Sequence, residues 1–468
     1  MSIKLNLIIN HAKLYGFIYQ SCEIYNGIKG IYDYGPYGVE VKNNIKNFWW
    51  DYMVRYRKNI MGIDTSILMN KKVWKASGHI KNFFEYFIYI NKKIINIKKF
   101  LKKIYYKKYI NKTIYIKLLK LLNKNKKKKI YKILKKDIKN NKFFKYNNLQ
   151  IKKVNLMFKT KIDPFYKKFT YLRPETAQGI FINLKNIINT TRLKIPFGIA
   201  QIGKSFRNEI ITKEFIFRTK EFEQMEMQFF IYPGEEKKWY KYWINNRLIW
   251  HLFLNLGKNN YRLKKHIKLS HYTTYATDIE FKYINKYKEL EGIHFRKNFD
   301  LKKHIKYSKK KIYFFNYKNK TKFLPYIIET SLGVDRVFYS LLCKSLKIEK
   351  TRTYLKLPYF ISPVKIAIFP LIKTDINIVN LSKNIYENLK YKFNVIYDDK
   401  KSIGKRYHFQ DAIGTPFCIT IDKISIINNT VTIRYRDNMK QIRYEINYLY
   451  FFFKKEFDIS NFFKKNII

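Results

Sequence analysis

Residues 169–235 constrain the fold more than any other stretch of the chain. There Arg, Glu, Gln and Gly return in a sequence otherwise dominated by Lys, Ile, Asn and Tyr. Two strand-like runs, Phe197–Ile202 and Met225–Ile231, bracket a loop that contains Thr212-Lys213-Glu214. Runs joined this way predict an antiparallel hairpin with a long connection. Further strands are predicted over Ser270–Lys282 and Pro325–Ser331, and a helix from Val334 to Cys343. Upstream, Asp33-Tyr34-Gly35-Pro36 predicts a turn. A helix follows from about Val39 to Arg57, where Val41, Ile45, Phe48, Trp49 and Tyr52 recur near helical spacing.

Residues 81–160 differ in kind. Lys, Ile, Tyr and Asn dominate, Gly is absent, and lysines cluster, as in Lys126-Lys127-Lys128-Lys129. This segment is expected to be an insertion, part helical and part loop. Its lysines suit either RNA phosphate or plain solvation. A boundary is expected between Leu357-Pro358 and Ser362-Pro363. Beyond it strands are expected at Val364–Phe369, Phe393–Tyr397, Phe417–Asp422 and Thr430–Arg436, with a helix over Ile376–Lys390. Alternation of that kind indicates a separate small α/β domain. The expected division is therefore 1–357, with the insertion at about 81–160, and 358–468.

The 468 residues, 46% of them hydrophobic, are enough for two or three packed domains and exclude a chain disordered throughout. The formal charge of +62 would ordinarily point to a polyanionic partner. Heavy use of Lys and Ile explains that charge equally well as compositional drift, so nucleic-acid binding has to be argued from sites. Cys22, Cys343 and Cys418 form no close pair, which argues against a disulfide framework or a zinc site and favours the cytosol. Neither a signal peptide nor a membrane-spanning run is expected.

Three groups of residues carry chemistry. Phe206-Arg207-Asn208-Glu209 follows a predicted strand. An Arg there offers a phosphate a planar fork of donors, and a Glu accepts from an amine; a plain salt bridge is the alternative. Gly333-Val334-Asp335-Arg336 sits where a strand runs into a helix, with Gly permitting close approach. The third group is acidic, with Glu175, Glu223, Glu226 and Glu329 in strand-like apolar surroundings. Buried carboxylates need partners, and several together suit an ammonium group, a metal ion or internal pairing with arginines.

In this order the three groups resemble motifs two and three of the class II aminoacyl-tRNA synthetases. The match narrows through Ile31–Pro36, Val73–His79, Tyr171–Phe181, Pro196–Lys204, Phe215–Glu226 and Ile413–Cys418, strings similar to those of the dimeric glycyl-tRNA synthetases. The resemblance covers nearly the whole chain outside the insertion. It implies an α+β catalytic domain, an antiparallel sheet flanked by helices, followed by a mixed α/β anticodon-binding domain. It implies a homodimer acting on glycine, ATP and tRNA(Gly), with Mg2+ and without zinc. Arg207 and Arg336 would be catalytic. The ATP site would comprise Arg207, Asn208, Glu209, Phe217, Arg218, Thr219, Lys220, Glu221, Phe222, Glu289, Leu290, Gly333, Val334, Asp335 and Arg336, with Glu289 a magnesium ligand. Glycine would be met by Lys98, Glu175, Phe222, Glu223, Gln224, Met225, Glu226, Glu329, Thr330, Ser331, Leu332 and Gly333.

Two departures stand out. Lys98 aligns where relatives carry a substrate-contacting Arg, and Leu332 replaces a smaller residue, with the expectation that it narrows the rim of the pocket. In the C-terminal domain Ser402–Tyr407 and Thr432–Asp437 mix basic and aromatic residues, a composition that fits either unstacked bases or packing. Two other readings fit parts of the sequence: a synthetase-like RNA-binding paralogue without catalysis, and a synthetase for another small amino acid.

Overall fold

The computed structural model describes residues 3–466 except 91–92, 124–125, 139–149, 164, 166–167, 213, 267–274 and 317–319. The chain forms two compact units, Met1–Ile67 with Glu175–Ile468 and Leu68–Pro174.

The first unit is built on a seven-stranded sheet. Its elements in chain order include α1 (Pro36–Trp50), β1 (Ile60–Gly62), α2 (Ala177–Thr190), β2 (Phe197–Phe206), β3 (Glu221–Ile231), α3 (Glu236–Phe253), β4 (Tyr261–Lys265), β5 (Tyr275–Lys282), β6 (Tyr287–Lys297), α4 (Phe299–Ser308), β7 (Tyr326–Gly333) and α5 (Val334–Ser345). The strand order is β4-β5-β6-β7-β3-β2-β1. Every pair is antiparallel except β1–β2 at the edge, which is parallel.

The predicted hairpin is β2–β3, and cross-strand pairing carries it on to Phe206 opposite Glu221. The first five residues of the strand expected over 270–282 lie outside the described residues, and the remainder is β5. Helix α1 begins earlier than predicted because Pro36 takes its first turn, where a missing N–H costs nothing. Its last turn widens into a π-type turn over Asp51–Arg55. Gly38 is required here: a Cβ would stand 1.9 Å from the Phe17 carbonyl oxygen.

Alternation along β3 divides the unit into two faces. Met225, Met227 and Phe229 point into a core shared with α1, α3 and α5. The even-numbered residues point the other way, and the last of them, Phe230, packs with Ala177, Ile180 and Phe181 of α2. Each large side chain fully buried in such a core contributes about 1.5–3 kcal/mol. A polar tie fixes α3 to the sheet. Arg247 Nε and His251 Nε2 both reach the Glu291 carboxylate of β6 at 2.7 Å, with no exposure of any of the three side chains. Burial alone would raise the Glu291 carboxyl, but Arg247 and His251 hold it below its ordinary value.

The C-terminal part of this unit carries β8 (Ile366–Pro370), α6 (Ile376–Lys390), β9 (Val395–Tyr397), α7 (Ile403–Ile413), β10 (Phe417–Ile421), β11 (Thr430–Tyr435) and β12 (Gln441–Glu445). Its sheet runs β9-β8-β10-β11-β12, parallel on both sides of β8 and antiparallel from β10 onward. Helix α7 and strand β12 are additions to the sequence prediction. Arg406, Arg434 and Arg436, possible base contacts by composition, are buried. Arg434 pairs with Asp411 through two bonds of 2.9 Å, and Arg436 donates to the carbonyls of Gly414 and Leu357. Packing is thus what these arginines do.

The second unit is more ordered than a part-helical, part-loop segment. Phe84–Ile90 pairs with Lys93–Asn96 and Gln150–Asn155 in an antiparallel sheet. With helices Ile97–Tyr106, Lys112–Asn123 and Lys127–Ile138 it encloses its own core of residues such as Ile88, Leu101, Leu118 and Ile130. Isoleucine and leucine supply that core despite the lysine bias.

Removing one partner of a buried ion pair leaves the other charge uncompensated. Glu291→Ala is therefore expected to destabilise the first unit by about 3–5 kcal/mol, read as a lowered urea midpoint; an unchanged midpoint would contradict the role given to this tie.

Candidate active site

Strand β7 is paired with β3 on one side and β6 on the other, and the registers stack polar residues in rows. Gly292, Ser331, Glu226 and Gln201 form one row across β6, β7, β3 and β2. His294, Glu329 and Gln228 form the next. Gly292, Ser331 and Glu226 of the first row and His294 and Glu329 of the second line a cleft of about 590 Å³. At its acidic end Gln228 Nε2 donates to Glu226 Oε1 at 3.1 Å and to Glu329 Oε2 at 2.9 Å. The Thr176 hydroxyl donates to Glu226. Glu329 also accepts from Arg296 Nη1 at 2.7 Å and His294 Nδ1 at 2.9 Å. Arg296 is gripped in turn by Asp300 of α4 at 2.9 and 3.0 Å. Gln178 links Asp300 to Glu175 at 3.1 and 3.0 Å.

The charges in this cluster are uneven. Burial would raise the Glu329 carboxyl, yet Arg296 and His294 hold it well below its ordinary value. The Glu226 carboxyl is pushed well above its ordinary value by burial and then by Glu329 and Glu175. Burial alone would lower His294, but its bond to Glu329 raises it.

Two arginine–aromatic pairs occupy the other end. The Arg207 guanidinium lies 5.2 Å from the Phe222 ring centre, and that of Arg336 lies 4.8 Å from Phe217. Arg207 ends the β2 side of the hairpin, its N–H bonded to the Lys220 carbonyl at 2.8 Å. Arg336 stands in the first turn of α5 and pairs with Glu289 at 3.2 Å, which holds that carboxyl below its ordinary value. Arg218 pairs with Glu209 at 2.5 Å. Guanidinium groups over aromatic rings beside a cluster of carboxylates suit a ligand with anionic and planar parts at one end and an ammonium at the other.

Residues 158–345 match the profile of the tRNA synthetase class II core domain (G, H, P, S and T), and residues 365–456 match that of an anticodon binding domain. The chain is 42% identical to the glycine–tRNA ligase of Borrelia hermsii, over 97% of this chain and 98% of that protein. It is 43% identical to that of Acetivibrio thermocellus, over 96% and 98%. The chain belongs to the glycine–tRNA ligase family. Its fold is shared with the prolyl-tRNA synthetase of Cryptosporidium parvum, solved with L-proline and AMP. The TM-score is 0.61 at 13% identity, covering 98% of this chain and 79% of that one.

Within this family member, Arg207, Glu209, Phe217, Arg218, Thr219, Phe222, Glu289, Leu290, Gly333, Asp335 and Arg336 line the cleft, together with Glu175, Gln224, Glu226, Glu329, Ser331 and Leu332. Some expectations need correction. Glu223 and Met225 alternate to the far face of β3: Glu223 binds Lys42 at 3.0 Å and Lys46 at 3.4 Å, and Met225 is core. Leu332 borders the cleft, but its side chain packs in that same core opposite Met225, so it does not narrow the rim. Val334 is core as well. Thr330 alternates away from Glu329 and is buried. Glu221 pairs with Lys204, and Asn208 and Lys220 flank the lining residues without joining them. Lys98 is exposed in the second unit, its N–H bonded to Asn96. Sequence reasoning missed Thr176, Gln178, Gln228, His294, Arg296 and Asp300. Gln228, His294 and Arg296 were reachable by counting in twos from Glu226 and Gly292.

A Cβ on Gly292 would meet His294 Cε1 at 2.8 Å. Gly292→Ala is therefore expected to push the imidazole off Glu329, so that His294 titrates nearer its ordinary value of about 6.5. NMR of the imidazole protons checks this, and an unchanged titration would contradict it.

Proposed function

We infer that this chain is an ATP-dependent glycine–tRNA ligase. Glycine's carboxylate attacks the α-phosphate of ATP in line, releasing pyrophosphate and forming glycyl-adenylate. A terminal ribose hydroxyl of tRNA(Gly) then takes the glycyl group. The observation that carries this reading is the convergence of Arg207 and Arg336 with Glu175, Glu226 and Glu329 in one cleft.

Each group has a proposed task. Arg207 holds the α-phosphate and the charge that develops on it in the transition state. Phe222 gives adenine a stacking face. Arg218 and Arg336 take the outer phosphates, exchanging Glu209 and Glu289 for them as ATP arrives. Catalysis by such a site is positioning plus electrostatic stabilisation, with no covalent enzyme intermediate. At the other end Glu175, Glu226 and Glu329 bind the glycine ammonium through charge-assisted hydrogen bonds, with Ser331 beside them. Glycine offers no side chain to grip. Attraction separates ligands differing by one methylene by only about 1–3 kcal/mol, so carboxylates crowded around Cα exclude alanine mainly by steric conflict.

Magnesium fits as an ion carried by ATP. Among the described residues no group of three or more His, Cys, Asp or Glu side chains is arranged to hold a metal ion, but one or two carboxylates suffice when phosphates supply the other ligands. Glu289, its side chain half exposed, would supply that carboxylate, and the ion would neutralise phosphate charge. We further propose a catalytic part to residue 357, an anticodon-reading part from 358, and a homodimer. The three free thiols suit a reducing cytosol.

ATP–pyrophosphate exchange across the amino acids tests the reading. Exchange is expected with glycine and not with alanine or serine, and Arg207→Ala or Arg336→Ala should lower it on the order of 10²-fold or more. Absence of exchange with every amino acid would favour a catalytically silent paralogue, and exchange with alanine or serine instead of glycine a different substrate.

A further inference from the structure

Glu226 and Glu329 share one amide donor, Gln228 Nε2, yet they differ in every other partner. Glu329 touches the Arg296 guanidinium and the His294 imidazole, both from β6, and its contact with the imidazole raises that ring's affinity for a proton. Glu226 is 2% exposed and is touched by neutral donors, the Thr176 hydroxyl and the Gln228 amide. The charged groups acting on it through space are Glu329 from β7, Glu175 ahead of α2, and Arg296 from β6. Arg296 is the favourable member of that set, and it is already shared between Glu329 and Asp300. Two carboxylates bridged by one amide, of which, among the described residues, Glu329 alone bonds to a guanidinium, are a pair driven to unequal protonation.

We propose that His294 and Arg296 are positioning residues that make the two carboxylates unequal. They keep Glu329 ionised, and Glu226 carries a proton in the resting site, which it releases when an amine substrate arrives. This rests on the reading above that Glu226 meets the glycine ammonium. The exchange balances: glycine enters as the ammonium zwitterion, Glu226 loses its O–H proton to water, and the new carboxylate accepts an N–H bond from the ammonium. At the acidic end the ammonium offsets the charge that Glu226 gains, and the released proton balances the glycine carboxylate. A buried ionised trio with no ligand is thereby avoided, and neutral molecules of similar size gain no ion pair on entry. The direction in which Glu226 and Glu329 depart from ordinary carboxyls agrees with this arrangement.

The consequence is a pH dependence of fixed sign. Below the Glu226 value a proton must be displaced for each glycine bound, so the Kd for glycine falls about tenfold per pH unit as pH rises and then levels off. Replacing His294 removes a donor to Glu329 and raises the proton affinity of the pair, so this limb moves to higher pH.

Calorimetry of glycine binding to the full-length protein in phosphate and in Tris, buffers with different ionisation heats, counts the protons released. On the acid limb the wild type should release about one proton per glycine. Glu226→Gln should bind glycine roughly 10- to 100-fold more weakly with equal heats in the two buffers. His294→Asn should shift the acid limb of kcat/KM for glycine to higher pH while leaving the KM for ATP unchanged. If Glu226→Gln binds glycine as tightly as the wild type, the placement of Glu226 at the ammonium fails. If Glu226→Gln loses affinity but the wild type releases no proton across the acid limb, the exchange alone is overturned. An unshifted limb in His294→Asn overturns the role given to that residue.

Discussion

The register of β7 between β3 and β6 is the constraint on which the site depends. Side chains alternate with a period of two, so a slip of one residue in either ladder would send Glu226, Glu329 and His294 into the apolar core and bring Met225 and Leu332 out. The register is held from the far face, where Met225, Met227, Phe229, Leu332 and Ile328 are buried. The core therefore fixes which carboxylates face one another. The same pairing runs out at Gly333, where β7 hands the chain to α5. Arg336 thus enters the cleft at a height set by the sheet, opposite the loop that delivers Phe217 and Arg218.

Behind that framework a second polar layer ties the elements together. Lys42 of α1 reaches Glu223 of β3 at 3.0 Å and approaches Asp335 of α5 at 3.8 Å. The Glu223 N–H donates to Asp335 at 3.0 Å, and the Tyr34 hydroxyl donates to the same carboxylate. The Tyr34 segment, α1, β3 and α5 thus meet beneath the cleft. The C-terminal part joins the same unit through Arg352, whose Nη1 donates to Asp411 at 3.1 Å and to the Arg436 carbonyl at 2.6 Å. Asn44 of α1 donates to the carbonyls of Ile361 and Ser362, 3.1 Å each. Anchors of this kind hold a domain junction whose chain would otherwise be a free linker.

Much of this was legible in the sequence, and the reasons differ from element to element. The hairpin, β7 with α5, and the strand–helix alternation beyond residue 364 all show strong periodicity. The convergence of Arg207, Arg336 and the acids came from resemblance of strings, since spacing alone gives no distance between segments more than a hundred residues apart. Glu223 and Met225 fall outside the cleft because a strand presents only alternate residues of a contiguous string. His294 and Arg296 were overlooked because a lone His or Arg carries no signal until a register sets it beside Glu329. Residues 81–160 concealed a packed unit because lysine enrichment masks its apolar positions, among them Leu101, Leu118 and Ile130.

Under the proposed function, an ammonium ion is the feature of the substrate that the acidic end recognises. Competitive binding of a stable glycyl-adenylate mimic, the glycyl sulfamoyl adenosine, against its glycolyl form, in which a hydroxyl replaces the amine, isolates that feature. The nucleotide, the ribose and the phosphate surrogate are the same in both, and the cationic amine is exchanged for a neutral group no larger than itself. Binding of the amine mimic should be at least about 100-fold tighter than that of the hydroxyl one. Equal affinities would contradict the account, because the carboxylates would then be supporting the fold without reading the substrate.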